Sequence, residues 1–153
     1  KKKKRCKDKL FTRIYGSQPP AEIVLTAAQI QNLQGAPVTL TVDNPSNSLV
    51  VPVSCAAYYT ATNEGFNFAG DVKIKVANEN YSGLASTYFE FDAPFLNSVV
   101  SSLICPVNTW GTISQTFPLA TPGTNLVIFA NGVSLQGTGT LKISVQYRLV
   151  ATT

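Results

Sequence analysis

The chain has 153 residues, 44% hydrophobic and 13% charged, with a formal net charge of +4, no histidine and no methionine. That length fits one domain with a sizeable core. The missing histidine excludes Ser-His and Cys-His nucleophilic centres, and no apolar run reaches the roughly 18–20 residues that span a bilayer.

The charge is uneven. Lys1, Lys2, Lys3, Lys4, Arg5, Lys7, Lys9 and Arg13 oppose only Asp8 in the first fifteen residues, so eight cations against one acid make this arm +7. The rest carries Lys73, Lys75, Lys142 and Arg148 against seven acids, or −3. A slightly acidic domain therefore carries a basic arm, and the high isoelectric point does not describe the domain. With so few charges, Ser, Thr, Asn, Gln and Gly must cover the surface, which suits a protein packed against neighbours or exposed outside a cell.

Residues 1–21 read as the arm and a proline-bearing linker (GSQPPA), and 22–153 as a single domain. Glu22 to Leu25 is a short apolar strand. Thr26 is a helix N-cap, with Ala27, Ile30 and Leu33 at helical spacing and Gly35 as terminator, which places one short helix near residues 26–33. Residues 37–43 (PVTLTVD) alternate as a strand, and Asn44-Pro45-Ser46-Asn47 is a turn. Residues 49–59 form a longer strand whose alternation blurs, as in a strand covered on both sides or bent at Pro52. Residues 60–70 are a polar loop with Phe66 and Phe68 on one side. Residues 71–76 (DVKIKV) alternate with Lys73 and Lys75 outward, and 87–91 (TYFEF) set Phe89 and Phe91 against Glu90. Residues 93–102 are ambiguous between a helical turn and a strand, and 103–107 are apolar and broken by Pro106. Further strands are expected at 112–117 and 125–130. The clearest period-2 signal closes the chain: in 138–150 (TGTLKISVQYRLV), Leu141, Ile143, Val145, Tyr147 and Leu149 share one face. Gln136-Gly137-Thr138-Gly139 supplies the turn that feeds it. Eight or so short strands and one short helix predict an all-β antiparallel β-sandwich of jelly-roll type, extended by the basic arm.

Two segments carry a resemblance. EIVLTAAQIQNLQGAPVTL (22–40) and VIFANGVSLQGTGTLKISVQYR (127–148) resemble the opening and closing of a loose group of small virion proteins from tailed bacteriophages. The first has a helical turn followed by Pro-Val-x-Leu. The second has an Asn-Gly turn, a Gly-x-Gly-Thr-Leu turn and a terminal strand ending in Tyr-Arg. The resemblance implies a jelly-roll component of head-fibre, capsid-decoration, spike or tail-associated type. Its partners would be itself, commonly as a trimer, and other virion proteins such as the major capsid protein, and its location the virion.

No residue set argues for catalysis, a cofactor or a metal. Glu90 and Asp92, two apart on one strand face, lie about 6.6–6.8 Å apart along the backbone, near the short end for inverting-glycosidase carboxylates, but also read as the wet face opposite Phe89 and Phe91. Asp43 with Asn44, or Asp71 with Glu79 and Asn80, offer oxygen without calcium-loop spacing. Cys6, Cys55 and Cys105 have no metal spacing. Cys55 and Cys105 read as buried thiols, with a bridge between them open in an oxidising compartment. The arm suits docking onto an acidic patch of a neighbouring virion subunit, non-specific contact with nucleic-acid phosphates, or solvation. Trp110, in a polar loop, is the candidate for glycan stacking, together with Phe66 and Tyr81; the plainer reading of the aromatics is core and interface. A shell-forming coat protein of a small icosahedral virus, its arm facing the genome, is the alternative among virion proteins.

Overall fold

A computed structural model describes residues 18–78, 87–106 and 122–151. Along them run β1 (Ala21–Leu25), α1 (Ala27–Gln31), β2 (Val38–Leu40), β3 (Ser48–Thr60), β4 (Lys73–Asn78), β5 (Thr87–Asp92), a 3₁₀ turn (Ala93–Asn97), β6 (Ser102–Ile104), β7 (Leu126–Ala130) and β8 (Thr140–Ala151). Two four-stranded sheets result, in the orders β1-β8-β3-β6 and β2-β7-β4-β5. Every pairing is antiparallel. The expected all-β class holds, while the expected strand at 112–117 lies outside the described residues.

The pairing has a simple rule. β1 pairs with β8, β2 with β7, β3 with β6 and β4 with β5, as in one long hairpin with its turn between β4 and β5. Folding that hairpin across itself adds β3 against β8 and β4 against β7. Four connections cross between the sheets at one end: the α1 segment and residues 61–72, 93–101 and 131–139.

Alternation decides which side of each strand is dry. Leu141, Ile143, Val145 and Leu149 of β8 lie opposite Tyr59, Ala57, Cys55 and Val50 of β3, and with Tyr147 they line a core that also takes Ile74, Val76, Phe89, Phe91, Leu126 and Ile128 from the second sheet. Aromatic rings fill the end below the crossing loops. Tyr59 lies 6.1 Å from both Phe66 and Phe95, Phe66 stacks on Phe68 at 5.9 Å, and Phe91 meets Phe95 edge-on at 5.6 Å. Such offset and edge contacts suit the ring quadrupoles and add to the burial itself.

Local chemistry explains most boundaries. The Thr26 hydroxyl accepts the Gln29 N–H at 3.4 Å while the Gln29 side chain accepts the Thr26 N–H at 2.9 Å, a reciprocal cap that starts α1 where the sequence placed it. The strand expected over 37–43 stops at Leu40. Val42 stays buried, but its N–H donates to the Asn125 side-chain carbonyl at 3.1 Å instead of a neighbouring strand. In β3 the register runs from Pro52 opposite Tyr147 to Ser54 opposite Gln146, so Val53 is an extra residue. That bulge, next to a proline that has no N–H to give, reverses the exposed positions and blurs the alternation. The ambiguous 93–102 segment divides into the 3₁₀ turn, a short bend and the start of β6.

One lysine departs from expectation. Lys73 is outward, but Lys75 is only 6% exposed. It sits on the inner strand β4, with Glu90 opposite on one side and Phe129 on the other. Strand alternation assigns a side and does not by itself fix how covered that side is.

Candidate interaction surfaces

The outer face of the β1-β8-β3-β6 sheet has an unusual make-up. Its strands contain three charged residues, Glu22, Lys142 and Arg148. The register builds one row across all four strands: Val24 opposite Lys142, Lys142 opposite Tyr58, Tyr58 opposite Leu103. Val24 is 57% exposed, Tyr58 46% and Leu103 64%. The next row is small, with Ser144 between Glu22 and Ala56. The bulge then turns Val53 outward beside Ser54, and Val99 and Val100, also exposed, lead into β6. The Lys142 ammonium reaches the Glu22 carboxylate at 2.9 Å, so the charge at the centre of the face is internally compensated.

The outer face of the β2-β7-β4-β5 sheet differs. It carries Lys73, Lys75, Glu90 and Asp92 on two neighbouring strands, with Lys73 ion-paired to Asp92. None of the large exposed hydrophobic side chains lies on its strands. The ion pairs shift Glu22 and Lys73. Lys142, helped by Ser144, holds the Glu22 carboxyl below its usual 4.5, and Asp92 lifts Lys73 above 10.5. The Glu22 contribution is present above 4.5 and disappears as pH falls through its lowered value; the Lys73 contribution is present below 10.5 and disappears as pH rises through its raised value. Both pairs are solvent-exposed, so each adds little stability.

The crossing-loop end is braced by side chains. Asn97 accepts the Phe68 N–H and donates to the Phe68 carbonyl, both at 2.9 Å. Asn67 accepts the Leu135 N–H at 2.9 Å and the hydroxyl of buried Ser134. Gln31 donates to the Gly137 carbonyl at 2.9 Å, where Gly137 has φ +115°. The glycine turn read from the sequence thus needs its glycine. Leu135, 86% exposed, projects from this braced loop. Between α1 and β2 a shallow uncharged groove of about 420 Å³ is lined by Ala28, Gln29, Asn32, Pro37, Val38 and Thr39.

The residues singled out by sequence fare unevenly. Lys1, Lys2, Lys3, Lys4, Arg5, Lys7, Lys9 and Arg13 of the arm, Trp110 and Tyr81 lie outside the described residues. Phe66, the third member of the glycan-stacking set, is 2% exposed and belongs to the core, so it offers no surface to a sugar. Glu90 and Asp92 both face outward, with Asp92 tied to Lys73. Asn44 is a structural brace: its amide donates to the Thr124 carbonyl at 2.9 Å, and its carbonyl accepts the Ser48 hydroxyl at 3.0 Å. Among the described residues no three Asp, Glu, His or Cys side chains gather as metal ligands, and no helix is long and apolar enough to cross a membrane.

The cysteines differ from each other. Both are free thiols, Cys55 buried and Cys105 exposed. The expectation of two buried thiols is corrected at Cys105, which lies just past β6, a three-residue strand at the edge of its sheet among the described residues. Burial, with Cys105 nearby, pushes the Cys55 thiol up to about 12. In a Cys6→Ser background at pH 8, a maleimide should label one thiol in the folded protein, Cys105, and two after denaturation. The same shift makes Cys55 stabilising below pH 9 and erodes that contribution as pH rises from 9 towards 12, because the unfolded thiol ionises first.

The apolar sheet face was not singled out from the sequence. Its signal was present as Val24, Tyr58 and Leu103, but only the register places them in one row.

No family model matches the chain, and no curated protein matches it in sequence. Among solved structures, a chain of the cyanophage Pam1 capsid asymmetric unit is similar in fold. Its TM-score is 0.50 over 86% of this chain and 83% of that one, at 11% identity.

Proposed function

We propose that this protein is a structural component of a phage virion, working by assembly rather than catalysis. The observation that carries the reading is the fold likeness to a chain of a cyanophage capsid unit over most of both lengths. The strand order supports a jelly roll: a hairpin paired 1–8, 2–7, 3–6 and 4–5 and wrapped into two sheets is the arrangement that name describes. A low-charge surface with one apolar sheet face supports association with other copies and other virion proteins. On this reading the chain is a capsid-attached decoration, head-fibre or spike component that self-associates as a trimer. The basic arm, +7 in fifteen residues, anchors it to an acidic patch on the capsid.

The anchoring step is tested on particles. Removing residues 1–15 should leave the domain folded, with an unchanged thermal transition, and cut incorporation into virions at least tenfold. Binding of the intact chain to particles lacking it should weaken steeply between 50 and 300 mM salt, as expected for an exposed basic segment. Incorporation that survives the deletion would sink the anchor, and failure of the intact chain to bind particles would sink the virion reading. Light scattering of the intact chain should give three times 16.4 kDa; megadalton particles would point to a shell-forming coat protein instead.

A further inference from the structure

We infer that the outer face of the β1-β8-β3-β6 sheet, centred on the Val24–Lys142–Tyr58–Leu103 row, is where one copy of this chain meets another. This rests on the self-association reading above and names the surface that performs it.

Exposed apolar side chains concentrate on this face. Of the eight large hydrophobic side chains exposed among the described residues, Val24, Val53, Tyr58 and Leu103 lie on the strands of this face, and Val99 and Val100 lead into it. The remaining two, Val133 and Leu135, belong to the crossing loops, and the opposite sheet has none on its strands. Singly scattered apolar residues are ordinary on a surface, but a row held in register across four strands is a contiguous patch.

Its charges are few and compensated. A nucleic acid or a strongly charged protein would be recognised by uncompensated charge of one sign. Here the central cation is already paired with Glu22, and Arg148 has an interaction of its own. An uncharged, apolar partner is favoured. A second copy presents such a surface, with no like charges forced together and none left buried without a partner.

The face is also wide and long enough for a contact between copies. Four strands about 4.8 Å apart, and the eight residue steps from Lys142 to Val150 at about 3.4 Å each, describe a face roughly 20 Å wide at its widest and roughly 27 Å long. Covering it on two copies buries on the order of 1,000 Å², where specific association begins. Ser144, Ala56 and Ser54 in the middle let a neighbouring element approach closely, and Tyr58 and Leu103 are the side chains suited to act as anchors.

The test is sedimentation of the full chain from 1 to 200 µM, comparing wild type, Leu103→Asp, Tyr58→Asp/Leu103→Asp and the control Thr39→Asp on the exposed edge of the other sheet. Circular dichroism and thermal melting check that each variant is folded; both target side chains are outside the core. A variant-independent reading uses Cys105, which follows β6 next to Leu103: pyrene on this thiol in the Cys6→Ser chain should give excimer emission that dilution abolishes. Expected are a wild-type oligomer, at least tenfold weaker association for Leu103→Asp, monomers for the double variant, and an unchanged control. An oligomer that tolerates both aspartates, or a control that weakens equally, overturns the assignment while leaving self-association standing. A wild-type monomer at 200 µM that still binds particles through this face also overturns it, because the occupant is then a different virion protein and the virion reading survives.

Discussion

Phe89→Ala is expected to cost about 3–5 kcal/mol of folding stability, the upper range for truncating one side chain. Phe89 is fully buried on β5, opposite Val76, and points between the sheets. Among the described residues β5 is the outer strand of its sheet, paired laterally with β4. Burial of the ring between the sheets therefore carries much of the attachment of β5, and truncation leaves a cavity that the packed strands close only in part. Domains of this size hold only about 5–15 kcal/mol in total, so the variant should melt well below the wild type, or fail to accumulate. Urea unfolding followed by circular dichroism would measure the cost. Glu90→Gln, one position along and outward, should change it by less than about 0.5 kcal/mol. A Phe89→Ala variant within about 1 kcal/mol of wild type would mean that the two sheets do not pack through this ring.

Gly65→Ala should cost about 1–3 kcal/mol although it adds a single methyl group. A Cβ at Gly65 would lie well under 3.0 Å from the Asn97 carbonyl oxygen and 2.6 Å from its carbonyl carbon. Both atoms are backbone, so no rotamer change relieves the overlap. The crowded segment is itself fixed: Asn97 clamps Phe68 by two hydrogen bonds, and the Phe66 N–H donates to the Leu96 carbonyl at 3.0 Å. The strain would therefore spread to the aromatic cluster formed by Tyr59, Phe66 and Phe95. Gly70, five residues along the same connection, is the matched control, because a Cβ there meets nothing within 4 Å. Gly70→Ala should be neutral or raise stability by about 0.4–1 kcal/mol through the unfolded chain. Equal melting temperatures for the two variants would refute the close approach of the connections.

These effects bear on the proposed assembly role. The apolar sheet face is a usable surface only while β1, β8, β3 and β6 keep their register, and that register depends on the core beneath. A core variant should lose association together with folding, whereas Leu103→Asp should lose association alone. The separation of those two outcomes distinguishes a contact surface from a merely exposed one.

The amino-acid sequence by itself determined the strand content and the chemistry of the ends. Alternation in 138–150 placed β8 within two residues, since a pleated strand gives a period of two whatever it packs on. The Thr26 cap marked the start of α1 because capping satisfies local backbone groups from residues three apart, whereas the helix ends at Gln31 with Asn32 as its C-cap, short of the expected Gly35 stop. The charge split between arm and domain is a property of order along the chain alone.

Tertiary structure decided whatever depends on which strand lies next to which. Lys75 reads as a wet position by alternation but is 6% exposed, with Glu90 and Phe129 opposite it on the two neighbouring strands. Cys105 reads as apolar and is exposed just past β6, a short strand at the edge of its sheet among the described residues. Val24, Tyr58 and Leu103, separated by 34 and 45 positions in the chain, become one row only through the pairings of β1 with β8, β8 with β3 and β3 with β6. Periodicity reports a side chain's direction relative to its own strand, and exposure and adjacency follow from long-range hydrogen bonding that no local pattern encodes.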